Sequence, residues 1–124
     1  GCFRMNMNEL ATASRYNIPI IQIVINNHVL GMVRQWQTLF FNKHYSNTTL
    51  CRQTDFVKLA EAFGALGFRA SNIAELSEAL DKAVLAKRPA VIDCKIDKDE
   101  FVLPMLPPGG SIDDIITEIR GGEI

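Results

Sequence analysis

The sequence predicts an α/β fold, with a parallel sheet and helices on both of its faces. Three short apolar runs are expected to be strands, at residues 20–25, 66–70 and 90–96. Segments with apolar residues at helical spacing lie between them. This alternation is typical of parallel strands joined by helices. The first run is apolar on both faces, so we expect it to be a central strand.

The first half of the chain is expected to form a helix, a strand, a second helix and a loop. Apolar residues three and four positions apart predict helices over residues 6–16 and 31–41. Pro19 ends the first of these helices. The stretch 42–52 is polar and aperiodic, which is typical of a loop.

Capping residues mark the helices of the second half. Thr54 is expected to N-cap a helix that ends near Gly64, and Asn72 with Glu75 resembles a capping box before the next helix. A last helix is predicted over residues 112–120. The side chains expected to face inward from the helix after Asn72 are Leu76, Leu80, Ala83 and Val84.

Composition excludes several classes of protein. Hydrophobic residues make up 48% of the 124 residues and charged residues 22%, which are the values of a globular chain. The net charge is −1, so we expect no nucleic-acid binding through phosphate neutralisation. No apolar stretch is long enough for a bilayer, and no signal peptide or membrane partner is expected. Because the chain begins at Gly1, we expect it to be an internal piece of a longer polypeptide.

Asn26 and Asn27 stand directly after the first predicted strand, at the sheet edge where α/β proteins bind ligands. An amide oxygen is a suitable ligand for Mg²⁺ or Ca²⁺, and the backbone carbonyl of Val29 can point to the same ion. Mg²⁺ held by few protein groups takes its other ligands from phosphate and water. The alternative is that both amides only satisfy backbone groups at the end of a strand.

Several blocks of the sequence resemble thiamine-diphosphate enzymes. Residues 1–13, Gly-Cys-Phe-Arg-Met-Asn-Met-Asn-Glu-Leu-Ala-Thr-Ala, are similar to the segment that starts at the last glycine of that family's Gly-Asp-Gly motif. The pair Asn26-Asn27 resembles the end of the same motif. Residues 27–37, Asn-His-Val-Leu-Gly-Met-Val-Arg-Gln-Trp-Gln, and residues 103–110, Leu-Pro-Met-Leu-Pro-Pro-Gly-Gly, resemble the large, catalytic subunit of acetolactate synthase. Residues 31–37 are the most specific part of this resemblance. The resemblance covers nearly the whole chain.

The resemblance implies a C-terminal thiamine-diphosphate-binding domain over residues 1–124 that lacks its first strand. The side-chain oxygen of Asn27 and the backbone carbonyl of Val29 would bind Mg²⁺ together with the motif's aspartate, which would precede Gly1. The chain would then retain two of three protein ligands. The implied cofactor-binding residues are Gly1, Cys2, Phe3, Asn27, Val29, Leu30, Gly31 and Met32. The residues implied to line the substrate pocket are Met32, Val33 and Trp36.

The resemblance also implies an activity for the parent protein. It would decarboxylate pyruvate and join the remaining two-carbon unit to a second 2-oxo acid, in branched-chain amino-acid biosynthesis. Thiamine diphosphate, Mg²⁺ and FAD are the implied cofactors, with FAD and the catalytic glutamate in upstream domains. The implied partners are a second catalytic subunit, in a homodimer or tetramer, and a regulatory small subunit. We expect a cytoplasmic bacterial protein, or a plastid or mitochondrial one in a eukaryote, and an inactive isolated chain.

Other interpretations remain open at this point. The parent protein is alternatively another thiamine-diphosphate carboligase or decarboxylase, or the chain is a non-catalytic α/β fragment that associates with itself. On its spacing alone, Trp36 is ordinarily a core residue. His28 is expected to supply polar surface or contacts near the diphosphate, and Arg34 to lie on a solvated or subunit-facing side.

Overall fold

A computed structural model describes residues 1–52 and 54–119. The helices found there are α1 (Cys2–Met5), α2 (Glu9–Arg15), α3 (Gly31–Phe40), α4 (Phe56–Ala62) and α5 (Ile73–Ala86). The strands are β1 (Ile21–Asn26), β2 (Leu66–Ala70) and β3 (Ala90–Lys95). A short 3₁₀ helix follows at Ile112–Asp114. None of the described helices is long and apolar enough to cross a membrane.

The three described strands form one parallel sheet in the order β1-β3-β2. Ile92 on β3 pairs with Ile23 on one side and with Phe68 on the other. The expectation that residues 20–25 form a central strand is therefore wrong for this sheet, in which β3 is central and β1 lies at an edge. An apolar run indicates burial on two faces, but it does not tell how many strands pair with it.

The sheet has a hydrophobic cluster on each face, because successive side chains of β3 point in opposite directions. Val91 packs with the side chains of α2 and α4, and Ile92 packs with those of α5. Buried residues on the first face are Leu10, Phe56, Ala60, Ala65 and Val91. Buried residues on the second face are Ala70, Ala79 and Ile92. The predicted parallel sheet with helices on both faces is thus confirmed.

Helix α4 begins with a cap that differs from the predicted one. The side chain of Asp55, and not that of Thr54, accepts hydrogen bonds from the backbone N–H groups of Val57 and Lys58, each at 3.1 Å. Asp55 also accepts a hydrogen bond from the guanidinium of Arg69 at 2.6 Å. The carboxylate is the better cap here, because it takes up two backbone donors and a cation at once.

Helix α5 is capped largely as predicted. The side chain of Asn72 accepts from the backbone N–H of Glu75 at 2.9 Å, but the carboxylate of Glu75 binds the N–H of Ser71 and not that of Asn72. Ala83 is buried, whereas Val84 is exposed, so the prediction that Val84 faces inward is wrong. Leu76 and Leu80 are partly buried against the same cluster as Ala79, so their predicted inward orientation is confirmed.

Two predicted helices are shorter than expected. The segment 6–16 is broken by a turn, in which Glu9 and Leu10 donate backbone hydrogen bonds to Asn6 and Met7. Helix α2 therefore begins only at Glu9. The predicted helix 112–120 is a single 3₁₀ turn closed by reciprocal bonds between Ser111 and Asp114, and residue 120 lies outside the described residues.

The strand order can be tested by truncating one isoleucine on β3 and one on β1. We expect Ile92→Ala to lower the free energy of unfolding by about 2–5 kcal/mol, because Ile92 is fully buried. Ile23→Ala should cost roughly 1 kcal/mol or less, because the side chain of Ile23 is 43% exposed. Urea unfolding of both variants checks this. Equal losses would contradict the assignment of β3 as the central strand.

The cap of α4 should make stability depend on pH. The backbone N–H of Lys58 and the guanidinium of Arg69 lower the pKa of Asp55. A lowered pKa stabilises the fold above the unfolded value of about 3.9, and this stabilisation is lost as the pH falls through the folded pKa. Asp55→Asn should therefore unfold more easily than wild type at pH 7, and the difference should shrink below about pH 4. A difference that is independent of pH in urea unfolding would contradict this assignment.

Candidate functional site

A cleft lies at the carboxyl end of β1. Its lining includes two segments that are distant in sequence, the start of the chain and the loop that follows the strand, together with Leu50, Thr54 and Phe56. Gly1 and Arg4 come from the first segment, and Asn26, Asn27 and Val29 come from the second. The structure thus brings together the two parts of the sequence that were predicted to bind one cofactor.

The asparagine pair is held in two consecutive turns. The side-chain oxygen of Asn26 accepts from the N–H of His28 at 3.3 Å, and that of Asn27 accepts from the N–H of Val29 at 3.3 Å. His28 has a positive φ of 62°, a conformation that such a turn imposes. The amide of Asn26 also donates to the buried carboxylate of Asp93 at 2.8 Å. Both asparagines therefore satisfy backbone groups, as the alternative interpretation expects.

The loop is backed by a second segment of chain. Leu30 donates a backbone hydrogen bond to the carbonyl of Thr48 at 2.8 Å, and Leu50 donates one to the carbonyl of His28 at 3.1 Å. Among the described residues, none of the backbone hydrogen bonds of this loop uses the carbonyl of Val29. That carbonyl and the second lone pair of the side-chain oxygen of Asn27 are available as ligands.

Gly31 is necessary for this arrangement. A Cβ atom at Gly31 would lie 2.6 Å from the side-chain nitrogen of Asn27, so a larger residue would displace that side chain. Gly31 is also the first residue of α3. The donors present, one amide oxygen and one carbonyl oxygen, fit a Mg²⁺ ion that receives its remaining ligands from diphosphate and water.

Helix α3 turns its polar side inward and its apolar side outward. Gln35 and Arg34 are only 1% and 8% exposed. The exposed side carries Met32, Val33 and Trp36, of which Trp36 is 38% exposed. These exposed side chains are the ones that were predicted to line a substrate pocket. Trp36 is therefore not a core residue within the described chain.

Arg34 does not lie on a solvated side, so that expectation is wrong. Its guanidinium is 2.6 Å from the carboxylate of Asp99 and lies 4.0 Å from the ring centre of Tyr45. The hydrogen bond to Asp99 raises the pKa of Arg34, so the residue is a permanent cation in this position. The sequence interpretation assumed that a cation on an amphipathic helix faces water, and it missed the acidic partner 65 residues away.

An open apolar pocket lies along the outward side of α3. Met32, Val33 and Trp36 line it, and Phe40 and Phe41 continue it toward the end of the helix. The rings of Trp36 and Phe40 meet edge to face with their centres 5.6 Å apart. Aromatic side chains of this kind offer a large apolar surface with a defined shape.

Comparison with known proteins identifies the family of this chain. Residues 1–94 match the family model described as thiamine pyrophosphate enzyme, C-terminal TPP binding domain. The chain belongs to this family. The predicted resemblance to thiamine-diphosphate enzymes is therefore confirmed.

The relatives of this TPP-binding domain are much longer proteins. A probable acetolactate synthase large subunit of Methanocaldococcus jannaschii is 43% identical over 120 residues, which are 97% of this chain and 20% of that protein. Acetolactate synthase isozyme 2 large subunit of Escherichia coli is 40% identical over 96% of this chain and 22% of its own length. This chain thus spans about a fifth of the length of these relatives.

A solved structure shares the fold. The thiamine diphosphate-dependent 4-hydroxybenzoylformate decarboxylase of Rhodococcus jostii superposes with a TM-score of 0.71 and 26% sequence identity. The match covers 79% of this chain and 18% of that one.

Other predicted cofactor-binding residues of this TPP-binding domain are placed less directly. The ring of Phe3 packs against that of Phe56, 5.6 Å between centres, so its backbone is the part that can face the cleft. Cys2 is exposed and free, and Leu30 is partly exposed. Arg4, which lines the cleft, was not foreseen, and neither was Asp93, which accepts a hydrogen bond from Asn26. Arg4 could have been noted as the basic residue nearest to Gly1, whereas Asp93 gave no signal in the sequence apart from a charge inside an apolar strand.

The role of Gly31 in this TPP-binding domain can be tested by adding one methyl group. Gly31→Ala should shift the side-chain amide resonances of Asn27 and the backbone N–H resonance of Val29, because the added Cβ displaces the Asn27 side chain. Gly1→Ala is the control, because its Cβ would make an ordinary contact with Leu30 at 3.9 Å. Unchanged Asn27 resonances in a folded Gly31→Ala protein would refute the close contact. Two-dimensional NMR of both variants measures the shifts.

Proposed function

We propose that this chain is the C-terminal thiamine-diphosphate-binding part of an acetolactate synthase large subunit. The longer protein would decarboxylate pyruvate and transfer the remaining two-carbon unit to a second 2-oxo acid, in branched-chain amino-acid biosynthesis. The observation that carries the proposal is the cleft in which Gly1 faces Asn27 and Val29, in a chain about 40% identical to such subunits along nearly its whole length. When bound, thiamine diphosphate supplies the electron sink for decarboxylation.

This chain would anchor the diphosphate end of the cofactor. Asn27 and Val29 would bind Mg²⁺ through the side-chain oxygen and the backbone carbonyl. Arg4 lines the same cleft, and its guanidinium would partly neutralise the diphosphate. Gly1 leaves room for the diphosphate beside Leu30. The further cofactor contacts that we propose are Cys2, Phe3, Leu30, Gly31 and Met32.

The outward side of α3 would form one wall of the substrate pocket. Met32, Val33 and Trp36 are exposed, apolar and adjacent, and they begin one turn after the proposed metal loop. A wall of this kind discriminates between the methyl group of pyruvate and the ethyl group of 2-oxobutyrate by shape, with roughly 1–3 kcal/mol per methylene group. The cofactor anchor and the substrate wall would thus be two ends of one segment.

The longer protein would supply the remaining parts of the site. We propose that FAD, the catalytic glutamate and the third protein ligand of Mg²⁺ are held by segments outside this chain. A second catalytic subunit, in a homodimer or tetramer, and a regulatory small subunit are the proposed protein partners. The proposed location is the bacterial cytoplasm, or a plastid or mitochondrion in a eukaryote. These parts explain why the chain alone is expected to be inactive.

An acetolactate assay on the full-length parent protein tests the proposal. With pyruvate, thiamine diphosphate, Mg²⁺ and FAD, the parent should form acetolactate and the 124-residue chain should not. Asn27→Ala in the parent should raise the concentration of Mg²⁺ needed for half activity by roughly 10–100-fold or more. A loss of this size is typical when a residue that hydrogen-bonds to a metal ligand is removed, and Asn27 is proposed to be a ligand itself. Asn8→Ala is the matched control, because Asn8 is exposed and its side chain makes no capping bond.

Two outcomes would contradict the proposal in different ways. Acetolactate formation by the 124-residue chain alone would show that no upstream domain is needed. If a folded, cofactor-loaded parent formed no acetolactate, the proposed cofactor site would be retained. The parent would then be assigned to another class of carboligase or decarboxylase, and the superposed Rhodococcus enzyme is a decarboxylase.

A further inference from the structure

Two glutamines of α3 each form a reciprocal pair of hydrogen bonds with one residue of a neighbouring segment. The side chain of Gln35 accepts from the backbone N–H of Val102 at 2.8 Å and donates to the carbonyl of Val102 at 3.0 Å. The side chain of Gln37 accepts from the N–H of Ser46 at 3.3 Å and donates to its carbonyl at 3.1 Å. An amide is the neutral side chain that can make both bonds at once.

The two pairs differ in burial. Gln35 is 1% exposed and also donates to the sulfur of Met105 at 3.2 Å, whereas the bonds of Gln37 are exposed to solvent. A buried amide that loses its partners keeps its desolvation cost, while an exposed amide exchanges them for water. The bond between Gln35 and Val102 should therefore constrain the helix much more than that between Gln37 and Ser46.

The position of Gln35 on α3 determines which side of the helix its bonds to Val102 turn outward. Consecutive residues of an α-helix point about 100° apart, so Gln35 faces the segment with Val102 while its neighbour Trp36 faces the open pocket. If Gln35 were released, the apolar side of α3 could turn toward the protein and remove Met32 and Trp36 from solvent, a favourable change for apolar surface.

We propose that Gln35 is a positioning residue, which holds α3 in the rotation that keeps the Trp36 side of the helix outward. It acts through the backbone of Val102, and it also holds the segment around Val102 against the helix. The effect of this rotation on the substrate wall rests on the proposed function. The effect of Gln35 on the rotation of α3 does not.

Amide hydrogen exchange and fluorescence of the 124-residue chain test the proposal. In Gln35→Met, exchange of the Val102 N–H should be about tenfold faster or more, because it loses its hydrogen bond to the buried side chain of Gln35. The exchange of Ile92 and of Ser46 should stay as in wild type. Trp36 is the one tryptophan of the sequence, so its emission reports on this side of α3 directly. The emission should shift to shorter wavelength as Trp36 leaves the solvent.

Gln37→Met is the matched control. It should accelerate exchange of the Ser46 N–H only, by a smaller factor, and leave Val102 and the Trp36 emission unchanged. Gln35→Glu is a second variant in case the methionine variant does not fold. Its carboxylate can still accept from the Val102 N–H but cannot donate to the carbonyl, so its effects should be intermediate.

Three results would overturn the proposal. They are unchanged Val102 exchange in a folded Gln35 variant, an equal acceleration at Val102, Ser46 and Ile92, and faster exchange at Val102 without any shift of the Trp36 emission. A failure of the proposed function is a separate result. In that case the parent protein forms no acetolactate while the exchange and emission results still hold.

Discussion

A buried amide must be hydrogen-bonded, because an unpaired polar group away from water costs about 1–3 kcal/mol. Gln35 meets this requirement through the backbone of Val102. Arg34, the preceding residue, needs an anion for the same reason and finds it in Asp99. Both partners lie in the segment after β3, on one side of α3. The helix can satisfy both residues in one rotation only, and its apolar side then remains outward. The pocket along Trp36 is therefore a consequence of what the polar side requires.

Polar contacts also fix the two asparagines of the loop before α3. Asn26 and Asn27 are adjacent and chemically identical, yet their surroundings separate their roles. Asn26 is directed toward the sheet by the buried carboxylate of Asp93, whereas Asn27 is held by a local turn and by the space that Gly31 leaves. Gly31 is also the first residue of α3. The proposed metal ligand and the helix that carries the proposed substrate wall are therefore linked through one position.

Local patterns predicted most of the elements, and long-range pairing explains the failures. The strands and helix α3 were predicted to within one residue at each end, because periodicity and breaker residues are local properties. The order of the strands was not predicted, because an apolar run does not indicate which strands pair with it. The burial of Arg34 was missed for a similar reason, because it depends on Asp99, which is distant in sequence. The cap at Asp55 is a local feature, and it was predicted one residue too early.

The candidate site shows which part of a binding surface can be predicted without coordinates. The resemblance to the thiamine-diphosphate motif implied the grouping of Gly1 with Asn27 and Val29, and the fold does bring them into one cleft. The availability of the α3 surface does not follow from its apolar residues, since the same residues would suit a core equally well. It follows from Gln35 and its neighbour Arg34, whose bonds leave the other side of the helix without cover. On a helix of this kind the polar residues decide which side is available for binding.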